Sequence, residues 1–503
     1  MDAIEQLKQD LCDGRIDIDR LIDVIAALQR QLEAAKQRIE ELEKKAGGPT
    51  PPVTAKVDTP FSLREEEKRQ KKRGKNQRKL TKKARRGRVT SADKLKSAER
   101  TEQCFPPGLS ENDCHLSHTR PVWRLENGRA VLVAYEIYRG PKNQYGKIPG
   151  VLGRSEFGME IVVQIAYLVY VMGLSFDKVC LTLQFLQNLK LSKTQADRLL
   201  KQLSRHWQSE FDVLCTLLAN SLVVHADETS WSINSVWAFL SEKARVLLFG
   251  VHKDADTLAQ ILDPGTFAGL VISDDAAVYA NFSQAQKCWA HLLRKAIKLT
   301  LQEPDNVEYR TFTDRLLEIY REACRVQKDQ RLSEAGRAKK VAGLDDEVLE
   351  LCAALWVLEL PPLEASPAND YRLLVNEVMR LMLDKQLFTF VTAASAEQPN
   401  GTCEPVSGTN NEAERTLRNP AEARKTGRTN KTLVGARRQT IIVSVLESLR
   451  VYLPTFTLGS VMEEINHWRQ TGRSCFSKLL KEMKLNQPTH SVLDRILPIP
   501  DSP

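Results

Sequence analysis

Two short apolar segments that each end in acidic residues constrain the fold of this chain more than any other feature. Residues 222–228 read LVVHADE and residues 269–275 read GLVISDD, so apolar and β-branched residues run directly into paired acids. This pattern indicates a buried strand that delivers carboxylates at its exposed end. Two such strands side by side would make their carboxylates converge, and converging carboxylates repel one another unless a divalent cation neutralises them. The sequence therefore predicts a metal site at one edge of a sheet.

The residues between and after these acids predict the rest of that sheet. Residues 236–240 and 245–251 predict two more strands, residues 256–262 a short helix, and the KCWAH segment at 287–291 a further strand. Several strands, a helix and then a second acid-tipped strand are typical of an RNase H-like sheet. A third carboxylate is expected later in the chain, on a helix.

This order predicts an α/β RNase H-like core in two parts, separated by a helical segment. The first part is residues 213–303, and the second, which carries the third acid and basic helices, is residues 396–450. Residues 304–395 are rich in Leu, Glu, Arg and Lys at helical spacing, so they predict a helical insertion. The tail, 451–503, has helical stretches and a Pro-rich end, and we assign it no chemistry.

Length and composition indicate a multidomain globular protein. With 503 residues the chain exceeds a single compact core, so two to four domains are expected, and its 42% apolar and 27% charged contents are ordinary. No signal-peptide pattern is present, and the longest apolar stretch, 161–176, is interrupted by Gln164 and Gly173. Ten cysteines without a CxxC pair indicate reduced thiols. We therefore expect a cytoplasmic protein with no membrane partner.

Residues 1–46 predict a coiled coil. Apolar residues recur there at alternating spacings of three and four for more than three heptads, and glycines and prolines from residue 47 end the helix. The seam consists of Ile18, Leu21, Ile25, Leu28, Leu32, Ala35, Ile39 and Leu42. Because this seam is narrower than the apolar face of a globular helix, we expect it to pair with a second copy, in a homodimer or higher oligomer. The alternative is a helix that folds back onto its own domain.

Residues 47–100 predict a basic, disordered linker. From Lys68 to Arg88 there are thirteen Lys or Arg in twenty-one positions and no acid, so subtracting 13 from the net charge of +9 leaves −4 for the rest of the chain. A block of like charge without aromatic residues cannot bury itself. Its expected use is sequence-independent contact with DNA phosphates, and the alternatives are a solvated tether or a nuclear address.

Residues 101–150 predict a small β-rich module. Alternating apolar and polar residues lead into the turn Asn127-Gly128 and continue beyond it, which is a strong hairpin signal. Four potential zinc donors lie upstream, namely Cys104, Cys114, His115 and His118. Their nine-residue gap and adjacent Cys-His pair do not match the spacing of zinc fingers, so we do not expect zinc there.

Residues 151–212 predict a helical DNA-binding domain. An apolar helix is followed by a second helix to about residue 186 and then by LKLSKTQADRLLKQL, with Ser192 as its N-cap. A helix, a short turn and a polar-faced helix are typical of a helix-turn-helix. In that case the major groove would be contacted by Lys193, Thr194, Gln195 and Arg198. A plain helical bundle produces the same pattern.

Four motifs together resemble one known family. HADET at 225–229, SDDAAVY at 273–279, CWAHLLRK at 288–295 and NNEAERTLR at 410–418 resemble the insertion sequence 66 family of bacterial DDE transposases. The resemblance extends to the zipper-like N-terminus, the helix-turn-helix and the helical insertion, and it covers about residues 150–450. The paired-cysteine zinc ribbon common in the family's N-terminal segment has no counterpart here, which puts metal binding by that module in doubt.

The resemblance implies a catalytic, metal-binding triad of Asp227, Asp274 and Glu414. In the family an acid stands five positions before a tyrosine, which selects Asp274 over Asp275, and an Asn-Asn-x-Ala-Glu-Arg pattern selects Glu414 over Glu412. Such carboxylates would hold two Mg²⁺ or Mn²⁺ ions about 3.5 to 4 Å apart for phosphodiester hydrolysis and strand transfer. The expected partner is double-stranded DNA, both element ends and target, and the expected location is the nucleoid. Accessory proteins encoded by the element are also suggested.

Further residues would support this chemistry. His225 and His291 would position water or contact phosphate, although packing at a strand end is the alternative. A basic cluster after the third acid would clamp the DNA backbone. It contains Arg415, Arg418, Arg424, Lys425, Arg428, Lys431, Arg437 and Arg438. The competing interpretations of the chain are an inactive DNA-binding regulator or relic, and a stand-alone RNase H-like nuclease or resolvase.

Overall fold

The computed structural model describes residues 90–356, 366–399 and 401–498. The predicted coiled coil, 1–46, and the predicted basic linker up to residue 89 lie outside these ranges. Within them, no helix combines the length and the apolar character that crossing a lipid bilayer requires.

Strands and helices are each labelled in chain order. The strands are β1 (Arg100–Cys104), β2 (His115–Glu126), β3 (Arg129–Arg139), β4 (Val223–Ser230), β5 (Ser235–Ser241), β6 (Arg245–Val251), β7 (Leu270–Ser273), β8 (Ala285–Lys287), β9 (Ala396–Glu397) and β10 (Cys403–Glu404). The helices are α1 (Ser91–Lys96), α2 (Met159–Ala166), α3 (Phe176–Gln187), α4 (Lys193–His206), α5 (Gln208–Ala219), α6 (Ala255–Ala259), α7 (Trp289–Gln302), α8 (Val307–Lys328), α9 (Glu334–Cys352), α10 (Pro367–Leu383), α11 (Thr389–Thr392), α12 (Asn411–Lys425), α13 (Leu433–Tyr452), α14 (Leu458–Thr471), α15 (Cys475–Glu482) and α16 (Leu493–Ile496).

A five-stranded mixed sheet in the order β6-β5-β4-β7-β8 forms the centre of the described chain. Strands β6, β5 and β4 are antiparallel neighbours, whereas β4, β7 and β8 run parallel. The strands predicted around residues 236–240 and 245–251 are confirmed as β5 and β6, and both acid-tipped strands are confirmed as β4 and β7. Because β4 and β7 are parallel neighbours, their acidic ends meet at the same edge of the sheet.

The strand predicted at 287–291 is wrong. Strand β8 ends at Lys287, Cys288 is the N-cap residue of α7, and His291 therefore lies on a helix. Trp289 and Leu292 are both buried, which is the spacing of one face of a helix. Five residues are too few to display that period in the sequence, so a short apolar segment is ambiguous between strand and helix.

The β-rich module is confirmed as a three-stranded mixed sheet in the order β1-β3-β2. Its hairpin turns at Asn127 and Gly128, whose φ angles of 47° and 78° suit a two-residue turn with both central residues left-handed. The potential zinc donors are divided between β1, which carries Cys104, and the start of β2 and the residue before it. Strand β3 lies between those two strands.

Three buried apolar clusters include side chains of the central sheet. One includes Val224 and Trp237 from the sheet together with side chains of helices α2 to α5 and α13 to α16, such as Trp207 and Trp468. The helices predicted as a DNA-binding domain therefore share a core with the sheet and with the C-terminal tail. The second cluster contains Ile272 and side chains of α7 and of α8 to α11, the last four being the helices within the predicted 304–395 insertion. The third packs β5 and β6 against α12 and α13.

Helix α13 is attached to strand β6 by a row of hydroxyl groups. Thr440, Ser444 and Ser448 are fully buried, and their side-chain oxygens accept hydrogen bonds of 3.0, 3.0 and 2.9 Å from the backbone N–H groups of Phe249, Leu247 and Arg245. Four residues of helix rise about 6 Å and two residues of strand about 6.8 Å, so the two periods match over this length.

Candidate functional site

Asp227 and Asp274 come from two neighbouring parallel strands. His225 of β4 pairs with Ile272 of β7. Asp227 lies two residues beyond His225 on β4, and Asp274 lies two residues beyond Ile272, directly after β7 ends at Ser273. Because β4 and β7 run parallel, both acids lie at the same edge of the sheet, and the prediction that the two acid-tipped strands are neighbours is confirmed.

Glu414 lies in the first turn of α12, and Asn410 fixes that turn to the sheet. Asn410 is fully buried; its side-chain Nδ2 donates to the carbonyl oxygen of Ala226 at 2.8 Å, and its backbone N–H donates to Sγ of Cys288 at 3.1 Å. The start of α12 is thereby held against the residue that precedes Asp227. Asn410 was not predicted as a site residue.

Electrostatic interactions link the three predicted triad acids. Burial first, and then the negative charges of Glu228, Asp274 and Glu414, raise the pKa of Asp227 to about 7. A hydrogen bond of 2.9 Å from the backbone N–H of Glu228 opposes this effect. The charges of Asp274 and Glu414 therefore act on Asp227, with a repulsion that a cation would relieve.

The two substitute acids are engaged elsewhere. Asp275 forms an ion pair with Arg380 of α10. Glu412 forms an ion pair of 2.5 Å with Arg245 of β6. Asp274 and Glu414 are instead among the groups that raise the pKa of Asp227 most.

Glu228 is a buried acid beside the triad. Its side chain is only 1% exposed, forms an ion pair of 2.5 Å with Lys253 and accepts a hydrogen bond from the hydroxyl group of Tyr279. The pKa of Lys253 is raised first by this bond to Glu228, and the charges of Asp274 and Asp227 raise it further. Lys253 therefore lies at the site, half-exposed, although no sequence motif indicated it.

Two more side chains of α7 surround Glu414. Nη2 of Arg294 donates to both carboxylate oxygens of Glu414, at 2.8 and 3.0 Å. Nδ1 of His291 lies 3.7 Å from one of these oxygens. Arg294 belongs to the CWAHLLRK segment but was not predicted as a site residue; its spacing of three from His291 on one helix was the available signal.

His225 lies deeper in the molecule than His291. Its side chain is buried on β4, and burial lowers the pKa of its imidazole, an effect that the charge of Glu412 opposes. A neutral, enclosed ring fits the packing alternative for His225. His291 is partly exposed next to Glu414, and its supporting role stays a prediction.

The predicted DNA-contacting residues of α4 differ in whether their side chains are already bound to other residues of the chain. Ser192 is the N-cap, as predicted, and Gln195 completes a capping box, since its side chain accepts a hydrogen bond from the backbone N–H of Ser192 at 3.0 Å. Lys193 pairs with Asp177 at 2.6 Å, at the surface. Thr194 and Arg198 are exposed. The side chain of Gln195 therefore caps its own helix, which the S-x-x-Q spacing already indicated.

The basic cluster after the third acid likewise contains both exposed side chains and side chains that are bound to other residues of the chain. Arg415, Arg418 and Lys425 are exposed on α12. Arg424 and Arg428 instead donate to backbone carbonyl oxygens, those of Ser230 and Gly173, each at 2.7 Å. The last two arginines have structural partners. Arg437 pairs with Asp494, and the buried Arg438 bonds to Asp197 and to the hydroxyl group of Tyr170.

Comparison with known proteins gives one match. The family model described as Transposase IS66 family matches residues 154–438, which is more than half of the chain and includes all the site residues described above from Asp227 to Glu414. No curated protein matches the chain.

Proposed function

The chain belongs to the IS66 family of transposases, and from this premise we propose that it binds the ends of its insertion sequence and catalyses DNA cleavage and strand transfer through Asp227, Asp274 and Glu414. One observation carries the assignment of the triad. The charges of Asp274 and Glu414 both raise the pKa of Asp227, so acids that follow or end two neighbouring strands and one from the first turn of α12 interact electrostatically. We further propose that the five-stranded sheet is the RNase H-like core of a DDE transposase.

The acids at this site suit a hard divalent cation. Carboxylate oxygens are the ligands that Mg²⁺ and Mn²⁺ prefer, and the pKa of about 7 at Asp227 reflects burial first and then repulsion by neighbouring acids, which such a cation would relieve. Asp227, Asp274 and Glu414 would hold the ions. When bound, they would activate water or a DNA 3′-hydroxyl group and stabilise the departing 3′ oxygen.

The protein's own groups would orient the acids and the DNA. Asn410 holds α12 against β4 and so sets the position of Glu414 relative to Asp227. Lys253 and Arg294 are cations that pair with Glu228 and Glu414, respectively. Both are half-exposed and therefore available to a DNA phosphate. His291, beside Glu414, would contact phosphate or position water.

We propose that α3 and α4 contact DNA as a helix-turn-helix and that Arg415, Arg418 and Lys425 hold its backbone. Arg198→Ala is expected to weaken binding to element ends several-fold, because an exposed cation on α4 is lost without loss of packing. The slope of log affinity against log salt should become less steep by about one. Arg331→Ala, an exposed arginine paired with Asp329 near the end of α8, is the control. Equal binding by both variants would exclude α4 from the interface.

The remaining proposals concern assembly. We propose that residues 1–46 pair two or more copies and that the basic residues between Lys68 and Arg88 add DNA contacts that do not depend on sequence. Accessory proteins of the element are proposed as further partners. An oligomer larger than a monomer, lost on deletion of residues 1–46, is the expected result in light scattering.

The proposed function is tested by incubating the full chain with its element ends, a target plasmid and Mg²⁺ or Mn²⁺. Nicked ends followed by joined products are expected, both dependent on the cation. End binding without any cleavage, with each cation and with the accessory proteins added, would instead identify a regulator or relic. Cleavage of branched DNA without joining would identify a resolvase-like nuclease.

A further inference from the structure

Three metal-binding side chains of different chemistry meet behind the predicted triad. Cys288 caps the start of α7, His291 lies three residues further on the same helix, and Glu414 comes from the first turn of α12. One donor atom of each lies within 4.8 Å of the other two. Nδ1 of His291 is buried, lies 3.7 Å from a Glu414 oxygen and has no hydrogen-bond partner within the part of the chain that the structure describes.

These donors suit a softer ion than the triad does. A thiolate, an imidazole and a carboxylate are a zinc ligand set, whereas Mg²⁺ takes oxygen ligands. In a tetrahedral zinc site with ordinary bond lengths, neighbouring donor atoms are about 3.4 to 3.8 Å apart. The spacing of 3.7 Å between His291 and Glu414 already meets this requirement, so closure needs a side-chain adjustment of about 1 Å at Cys288.

The surroundings hold the sulfur in place for coordination. The backbone N–H of Asn410 donates to Sγ of Cys288 at 3.1 Å. Hydrogen bonds to a ligand atom orient it and favour its charged form. An access path exists as well. A cavity of about 670 Å³ is lined by His291, Asp274 and residues of α10 and opens to solvent.

We propose that Cys288, His291 and Glu414 form a zinc site that is distinct from the hard-cation site and shares Glu414 with it. On binding, the Cys288 thiol releases its proton to solvent, a Zn–S bond forms, and Arg294 gives up its contact with Glu414. A water molecule completes the four ligands. Zinc and the catalytic cation then compete for one carboxylate, so zinc acts as an inhibitor; this second statement rests on the proposed function.

The binding test needs no DNA. The full chain, stripped of metal, is titrated with Zn²⁺ against a chromophoric chelator and, separately, with Co²⁺. We expect the wild type to bind one equivalent of Zn²⁺, and the affinity for this ion to fall at least about tenfold in Cys288→Ser and in His291→Asn. The thiolate-to-cobalt charge-transfer absorption should disappear in Cys288→Ser. Cys324→Ser, a partly buried cysteine of α8 outside the cluster, is the control and should behave as the wild type.

The folding of each variant is checked separately from its zinc binding, by circular dichroism and thermal melting. If Cys288→Ser and His291→Asn both bind zinc more weakly, a local structural change at one of the two positions does not explain the result. Equal zinc stoichiometry, equal affinity and unchanged cobalt absorption in wild type, Cys288→Ser and His291→Asn would overturn the proposal.

An activity arm separates this inference from the proposed function. Zinc is expected to inhibit Mg²⁺-dependent cleavage by the wild type, and a higher zinc concentration should be needed for the same fractional inhibition of Cys288→Ser. Zinc bound at Cys288 in a chain that never cleaves DNA would support the site and contradict the proposed function. DNA cleavage by a chain that binds no zinc at Cys288 would support the proposed function and contradict the zinc site.

Discussion

Replacing Asp227 with asparagine is expected to abolish cleavage and, at the same time, to stabilise the metal-free protein. Activity should fall at least about a thousandfold, because the variant loses a charge that the proposed reaction requires. The free energy of unfolding at pH 8 should rise by about 2 to 4 kcal/mol, because the wild-type carboxylate, whose pKa is raised to about 7, is ionised there against burial and three acidic neighbours.

The raised pKa of Asp227 also predicts how the stability of the protein changes with pH. The folded pKa of Asp227, about 7, exceeds its ordinary value of 3.8, so the folded protein binds the proton more tightly than the unfolded chain does. Stability contributed by this group is therefore complete below pH 4 and lost as the pH rises to 7. The difference in melting temperature between Asp227→Asn and wild type should be largest above pH 7 and shrink toward pH 4. Thermal unfolding without divalent cations, followed by circular dichroism at each pH, measures it.

Magnesium should reverse the order of the two proteins. It is expected to raise the melting temperature of the wild type by relieving the repulsion, and to have little effect on Asp227→Asn. Asp275→Asn and Glu412→Gln are the matched controls, since both acids pair with arginines away from Asp227. If either control lost cleavage as completely as Asp274→Asn or Glu414→Gln, the assignment of the triad would be wrong.

Asn410→Ala is expected to cost about 1 to 3 kcal/mol of stability and to lower cleavage by about ten- to a hundredfold. The carbonyl group of Ala226 would lose its partner in a fully buried position, and α12 would lose its side-chain link to β4. Glu414 would then be held less firmly beside Asp227. Chemical denaturation and single-turnover cleavage measure the two effects.

The neighbouring Asn411→Ala provides the comparison. Asn411 is exposed on the same helix turn, so its loss should change stability by less than about 0.5 kcal/mol and leave cleavage within twofold. A loss of stability in Asn410→Ala with unchanged cleavage would show that the residue supports the fold without positioning Glu414.

Local signals in the sequence predicted those parts of the structure that local physics determines. The Asn127-Gly128 turn requires two positive φ angles, which these residues adopt at low cost, so the hairpin was evident. Ser192 was recognisable as an N-cap for the same reason. The acids of β4 and β7 stood out because an apolar strand rarely ends in paired carboxylates without a use for them.

Other features depend on contacts that sequence spacing does not encode. The side chain of Asn410 bonds to Ala226, far away in sequence, and does not cap its own helix. The choice of Asp274 over Asp275 came from resemblance alone, and the pairing of β4 with β7 joins segments that are distant in sequence. Lys253 reaches the site through Glu228, a contact that the sequence of neither segment indicates.

The hydroxyl row of α13 also determines how copies of this protein can assemble. An outer strand with unpaired N–H groups is a template onto which a strand of another chain can add. On the β6 side, the outward N–H groups of Arg245, Leu247 and Phe249 are already taken by Ser448, Ser444 and Thr440. A second copy therefore cannot extend the sheet there unless α13 first detaches. The β6 edge is therefore protected from strand-mediated aggregation, and an assembly of this transposase must use other surfaces of the chain.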